Sequence, residues 1–182
     1  MRLVATEYLT FDGVFEEPGR WSGPFFNEEA QKFKFDELQA TDALLLGRKT
    51  YEGFAAAWPK MPGTGEFGVQ MNSMPKYVVS STLKTVEWTG SHLVTGDVAG
   101  EIRKLKAAPG KDLLLAGSGQ LFNSLMQSDL IDLYRFMVHP IVLGKGRRLF
   151  TDASAKRVLE LTDTKRFGSG IVISEYRSAK TA

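Results

Sequence analysis

The chain has 182 residues, 43% of them hydrophobic and 24% charged, with a net charge of +2. This is an ordinary globular composition, and the length suits one domain burying roughly 70% of its unfolded surface. So small a charge argues against a nucleic-acid partner, and with no cysteine there are no disulfides, thiolate metal sites or cysteine nucleophile.

His92 and His139 are isolated and cannot build a multi-histidine metal centre, so no metal is expected. Residues 2–9 are too short and too polar for a signal-peptide core, and no apolar stretch approaches a membrane span. The expected address is the cytoplasm, with no membrane partner.

In chain order, Leu3 to Leu9 predicts a first strand, followed by a turn-rich passage from Asp12 through Pro18, Gly19, Gly23 and Pro24. Asn27 can cap a helix whose first turn carries Glu28 and Glu29 and which reaches about Ala40. The strand at 43–46 ends in Gly47, and a helix over 48–56 opens on Arg48, Lys49 and Thr50. Cations oppose the dipole at a helix start, so an anionic ligand would compensate them; the plainer reading is a solvated pair. Trp58 to Pro75 reads as the longest loop, of the kind that covers a site.

The strand at 76–80 ends in Ser80, Ser81 and Thr82, hydroxyls that cap a turn or hold a phosphate. A strand at 92–95 and a helix at 97–107 follow. The strand at 112–116 then stops at Gly117-Ser118-Gly119, and Gln120 and Leu121 begin a helix over 119–127. Unpaired N–H groups at such a start form an anion site, a tight turn without a ligand being the alternative. A strand at 131–138 precedes His139, which reads as structural, and the short basic cluster Lys145, Arg147 and Arg148. Segments 157–166 and 170–177 flank Phe167-Gly168-Ser169-Gly170 as a hairpin. The expectation is an α/β domain with a mostly parallel central sheet, flanking helices and a C-terminal antiparallel hairpin. Three strand ends with phosphate-compatible groups favour a nucleotide.

The order of these motifs resembles the dihydrofolate reductase superfamily over nearly the whole chain. It is most similar to the branch of the riboflavin-pathway reductase (RibD C-terminal) domain and its stand-alone bacterial relatives. Asp129-Leu130-Ile131-Asp132-Leu133-Tyr134 and the tract from Val138 to Phe150 carry that branch's signature. The resemblance implies NADPH as cofactor and a homodimer. It places Gly47, Arg48, Lys49 and Thr50 at the pyrophosphate and 2′-phosphate, with Arg48 choosing NADPH over NADH. Ser80 and Ser81 would hold the adenosine end, and Gly117 to Leu121 would present backbone N–H groups. Family members carry a cis Gly–Gly bond where this chain has Gly117-Ser118. The nicotinamide would sit beside Ala5 and the turn from Asp12 to Val14.

The family's buried carboxylate falls on Asn27, Glu28 or Glu29. Glu29 is preferred because Phe33, one turn later, shares its apolar face; Asp12 is the other candidate acid, with a turn-forming Asp-Gly as its plain reading. Both Glu28 and Glu29 have the helix dipole as a plain reading. Folate is disfavoured, because Met74 stands where folate reductases carry an arginine and Phe136 where they keep a threonine. Trp21, Phe25, Phe26, Tyr51, Phe54 and Trp58 could line a flat pocket, Trp58 nearest the substrate, although most such aromatics are core. The implied activity is NADPH-dependent reduction of a small pterin-, pyrimidine- or related heterocycle, a riboflavin-pathway ribosylamino-pyrimidine among them. No zinc-deaminase signature accompanies it. A dinucleotide-binding protein without catalysis and a ligand-free dimerisation module are the alternatives.

Overall fold

A computed structural model describes residues 1–151, 154 and 156–179. Its strands are β1 (Arg2–Thr10), β2 (Thr41–Gly47), β3 (Lys76–Val79), β4 (Ser91–Val94), β5 (Asp112–Ala116), β6 (Leu133–His139), β7 (Leu159–Arg166) and β8 (Val172–Ser178). They form one eight-stranded sheet in the order β4-β3-β2-β5-β1-β6-β8-β7. Every neighbouring pair is parallel except the two that involve β8. The expected parallel sheet with a closing hairpin is what the chain builds.

Five α-helices join the strands: α1 (Glu28–Gln39), α2 (Arg48–Ala57), α3 (Gly65–Ser73), α4 (Val98–Ala107) and α5 (Gly119–Gln127). Two begin on side-chain caps: Asn27 accepts from the Ala30 N–H for α1, and Asp97 from the Gly100 N–H for α4. Each cap satisfies one of the four N–H groups a helix start leaves open. Side chains alternate along β1, as strand geometry requires. Leu3, Ala5 and Leu9 join Phe122 and Leu125 of α5 on one face. Val4 joins Leu44, Leu46 and Met71 on the other. A third cluster of Ala30, Met137, Phe167, Ile171 and Ile173 lies between α1 and the hairpin.

The passage expected as one long loop instead contains a short 3-10 turn at Trp58–Lys60 and then α3. Gly65 and Gly68 lower its helix propensity, so tertiary contacts supply what local preference lacks. Asn72 accepts from the Trp88 indole N–H and donates to the Trp58 carbonyl. The fully buried Lys76 donates to the carbonyls of Asn72, Met74 and Thr89 and lies 4.2 Å from the Trp88 ring centre. Burial lowers the Lys76 ammonium to about 8. These contacts tie the end of α3 to the sheet edge.

Candidate active site

The site begins where the sheet splits. The last pair between β1 and β5 is Thr6 with Ala116, whereas β1 continues beside β6 to Thr10 and His139. Beyond Thr6 the two central strands part. A cleft of about 1520 Å³ opens there, with Thr6, Glu7 and Tyr8 along β1 and Ala116, Gly117 and Ser118 across the gap. Its inner wall is apolar: Phe35 and Leu38 of α1, Phe54 of α2, Trp58, and Phe67 and Met71 of α3. Pockets for one small ligand span about 300–1,000 Å³, so this cleft has room for a larger ligand or for two.

The mouth is polar and built from backbone. The Gly47 N–H donates to the Ser118 hydroxyl at 2.8 Å, and that hydroxyl lies 2.9 Å from Thr50 Oγ1. A Cβ on Gly47 would come within 3.2 Å of Ser118 Cβ, so a larger residue there would push on the Ser118 turn. Gly117 and Ser118 are both left-handed, at φ +55° and +66°; the peptide bond between them is trans. Neither α2 nor α5 has a side-chain cap. Two helix N-termini therefore open side by side, with Lys49 on the cleft wall. The Phe15 ring packs against Gly119 beside the start of α5, where a Cβ would fall 2.4 Å from it. Arg147 stacks on that ring at 5.5 Å.

The structure brings Gly47, Lys49, Thr50, Gly117, Ser118 and Trp58 together at this cleft and leaves several other expected residues outside it. Arg48 pairs with Glu52 at 3.1 Å on the surface beside the mouth. Gln120 is exposed, and the Leu121 side chain is core, so only their backbone faces the helix start. Ser80 takes the turn-capping role, accepting from the N–H groups of Thr82 and Leu83, while Ser81 is exposed. Ala5 and Val14, expected beside the nicotinamide, are buried and do not line the cleft; Thr6, Glu7 and Tyr8 are the β1 residues along it. Tyr51 is core, its hydroxyl accepting from the N–H groups of Glu87 and Trp88.

The two expected acids also need correction. Residues 28, 31, 35 and 38 share the cleft face of α1 by helical spacing. Glu29 and Phe33 lie on another flank, toward the hairpin. Phe33 packs on Phe167, and exposed Glu29 accepts from the Gly168 N–H at 2.6 Å, a bond that holds its carboxylate below the usual range. Asp12 is likewise lowered, by the Thr10 hydroxyl and then by the Leu143 and Gly144 N–H groups. An acid held ionised by backbone donors is a poor proton source. Asp12 locks the turn after β1.

Trp21 packs edge-on against His139 at 5.0 Å, with Tyr8 and Phe25 on the same imidazole, and is not a cleft residue. His139 is fully buried and its Nδ1 meets the carbonyls of Leu9 and Met137. Burial lowers it from 6.5, against those two bonds. Unfolded chains then bind the extra proton, so stability should fall as pH drops below 6.5. In urea melts across that range the stability difference between the native chain and His139→Phe should move by that loss, since the other titrating groups are common to both.

Sequence reasoning missed four charged residues around the cleft. Glu37 is buried between Lys34 and Arg135, whose Nη1 is 2.9 Å away, and Arg135 also binds Glu175 at 2.6 Å. Lys34 reaches Thr6 Oγ1 at 3.3 Å. Glu7 lies in the cleft, 2% exposed, with Oε1 unpartnered. The available signal was a glutamate inside the apolar run from Leu3 to Leu9. Among the described residues, no group of three or more His, Asp or Glu is placed to hold a metal, and no helix is long and apolar enough to cross a membrane.

A sheet of this order, split between its central strands with a cleft at their C-terminal ends, is the dihydrofolate reductase-like fold. Dihydrofolate reductase of Enterococcus faecalis, solved with NADP(H) and RAB-propyl, shares it with a TM-score of 0.64 at 18% identity, over 98% of this chain and 97% of that one. The chain belongs to the RibD C-terminal domain family, whose model matches residues 2–173. A Shewanella sp. PV-4 protein provisionally assigned to riboflavin biosynthesis superposes with a TM-score of 0.79 at 21% identity, covering 99% of this chain and 100% of the other. YyaP of Bacillus subtilis strain 168, itself uncharacterised, is 34% identical over 144 residues, 78% of this chain and 76% of YyaP.

Proposed function

We propose that the cleft binds NADPH and that the protein passes hydride from it to a C=N or C=O bond of a small flat heterocycle of the pterin or pyrimidine kind. The observation that carries this reading is the joint of Gly47, Ser118 and Thr50, which sets two uncapped helix N-termini together at the mouth of one cleft. Aligned N–H groups and helix dipoles there favour a pyrophosphate. Lys49 and Arg48 add positive charge that would otherwise sit badly at a helix start. The apolar inner wall, with Trp58, suits a flat ring, and the volume accommodates cofactor and substrate together. NADP(H) in the Enterococcus faecalis enzyme supports the cofactor, and the RibD family supports a pyrimidine-like substrate. A glutamate-tailed substrate has less support, since Met74 is buried in the core.

When bound, NADPH supplies the hydride. The chain's own residues do the rest. The starts of α2 and α5 would hold the pyrophosphate, and Arg48, released from Glu52, would meet the 2′-phosphate. Breaking that exposed pair costs less than about 1 kcal/mol. Phe54, Trp58 and Phe67 exclude water around the substrate ring.

Calorimetric titration with NADPH, NADH and NADP⁺ tests the reading. NADPH should bind with a clear preference over NADH. In Arg48→Ala, NADPH should weaken by roughly 10- to 100-fold, the worth of one charged hydrogen bond, with NADH nearly unchanged. Equal losses for both would remove Arg48 from this role, and no binding of any dinucleotide would overturn the reductase reading.

A further inference from the structure

Glu7 lines the cleft, and the binding of cofactor and ring leaves its chemistry unused. It stands one position beyond the last pair of β1 with β5, opposite Phe136 of β6, where the sheet opens. Its carboxyl is withdrawn from solvent, and Oε1 meets no donor. An ionised carboxylate is not tolerated in such a place without a partner, whereas a neutral carboxylic acid is. The other cleft carboxylates differ: Glu37 is ion-paired to Lys34 and Arg135, Glu16 is paired to Arg147, and Glu17 and Glu28 are exposed at the rim.

We propose that Glu7 is the acid of the reaction, giving its carboxyl proton to the nitrogen or oxygen of the C=N or C=O bond whose carbon receives the hydride. This assignment rests on the function proposed above. The π bond breaks, a C–H bond forms with the hydride, and an N–H or O–H bond forms with the proton from Glu7. The substrate gains two electrons and NADPH loses them. The Glu7 carboxylate is then reprotonated from water.

Burial pushes the Glu7 carboxyl well above the usual carboxylate range, and Lys34 opposes this by less. Charged groups border the site on several elements: Lys34 and Glu37 on α1, Lys49 on α2, Arg135 on β6, and Glu16 with Arg147 in the loops. Of these, Lys34 is the charge that pulls Glu7 back toward ionisation. Burial in this unpartnered position therefore favours the neutral acid at Glu7, against the pull of Lys34. A cationic ring nearby would favour the carboxylate, lowering its pKa by about 1–3 for a charge within ~4–6 Å. The proton is therefore held before hydride transfer and released as the positive charge develops.

The test needs no substrate. NADPH and NADP⁺ are titrated calorimetrically near neutral pH in two buffers of unlike ionisation enthalpy, which counts protons as well as binding. NADP⁺ should expel up to about one proton, the expected consequence of a cation beside a protonated carboxyl, and NADPH none. Glu7→Gln should keep the NADPH isotherm and lose the proton release on NADP⁺. Equal proton counts for the two nucleotides, release that survives in Glu7→Gln, or loss of NADPH binding in that variant each overturn the assignment. Infrared spectroscopy gives a second readout: native protein should show a protonated-carboxyl C=O band that Glu7→Gln lacks, and an identical band in both sinks the idea. If no dinucleotide binds native protein, the reductase reading fails and the acid role with it; the isotherms report that failure separately from the proton count.

Discussion

Glu37→Ala should destabilise the protein by about 3–5 kcal/mol, the usual effect of removing one partner from a buried ionic group. Glu37 is 6% exposed and sits between two cations, Lys34 on its own helix and Arg135 on β6. Without it, the Lys34 and Arg135 charges face each other in a half-dry site, with Glu175 left to hold Arg135 alone. The penalty is one of desolvation as well as lost attraction. Urea unfolding measures it directly. The pH dependence identifies its origin. Burial raises the Glu37 carboxyl, but Lys34 and Arg135 outweigh that and hold it below 4.5. A carboxylate with a lowered folded pKa stabilises above its unfolded value and loses that contribution as pH falls through the folded one. The gap between native and variant should therefore narrow well below pH 4.5. A gap that stays constant there would mean the loss is packing rather than charge. Lys34 also touches Thr6 beside the cleft, so the variant should bind ligand less tightly even where it is folded.

Gly117→Val should abolish most dinucleotide binding while leaving a folded protein. At φ +55° the residue is left-handed, which costs a side chain roughly 1–2 kcal/mol and a β-branched one more. Valine there forces the backbone out of this region. Ser118 and the first N–H groups of α5 move with it, and the hydroxyl link to Gly47 and Thr50 breaks. Losing two charge-assisted hydrogen bonds to a pyrophosphate at about 1.5–3 kcal/mol each implies a fall in affinity of at least ~100-fold. Calorimetry with NADPH reads this, and a thermal melt separates it from unfolding. Full affinity in a folded Gly117→Val protein would remove the α5 start from the binding site.

The elements were legible in the sequence to within a few residues because their signals are local. Asn27 and Asp97 mark helix starts by bonding N–H groups three residues on, and apolar runs closed by Gly47 and Gly117 mark strand ends. The two glycine turns at the cleft mouth were readable for the same reason. The segment containing α3 was not, since its two glycines argue against a helix that Trp88, Asn72 and Lys76 hold in place from elsewhere in the chain.

The acid shows the limit most clearly. On sequence alone Glu29 and Glu28 look alike, both in the first turn of one helix. One step of about 100° around that helix turns Glu28 toward the cleft and Glu29 toward the hairpin. In the sequence Glu7 is one polar residue within the apolar run from Leu3 to Leu9, and only the end of β5 beside it places it at the cleft.

By itself the sequence determined the order of strands and helices, the backbone turns able to meet an anion, and the exclusion of thiolate chemistry, because each depends on residues within a few positions of one another. Only the tertiary structure decided which carboxyl is dry, which is salt-bridged and which faces solvent. Those states are set by burial and by charges from distant segments, as when Glu37 meets Arg135 across 98 positions of chain, and no local pattern encodes them.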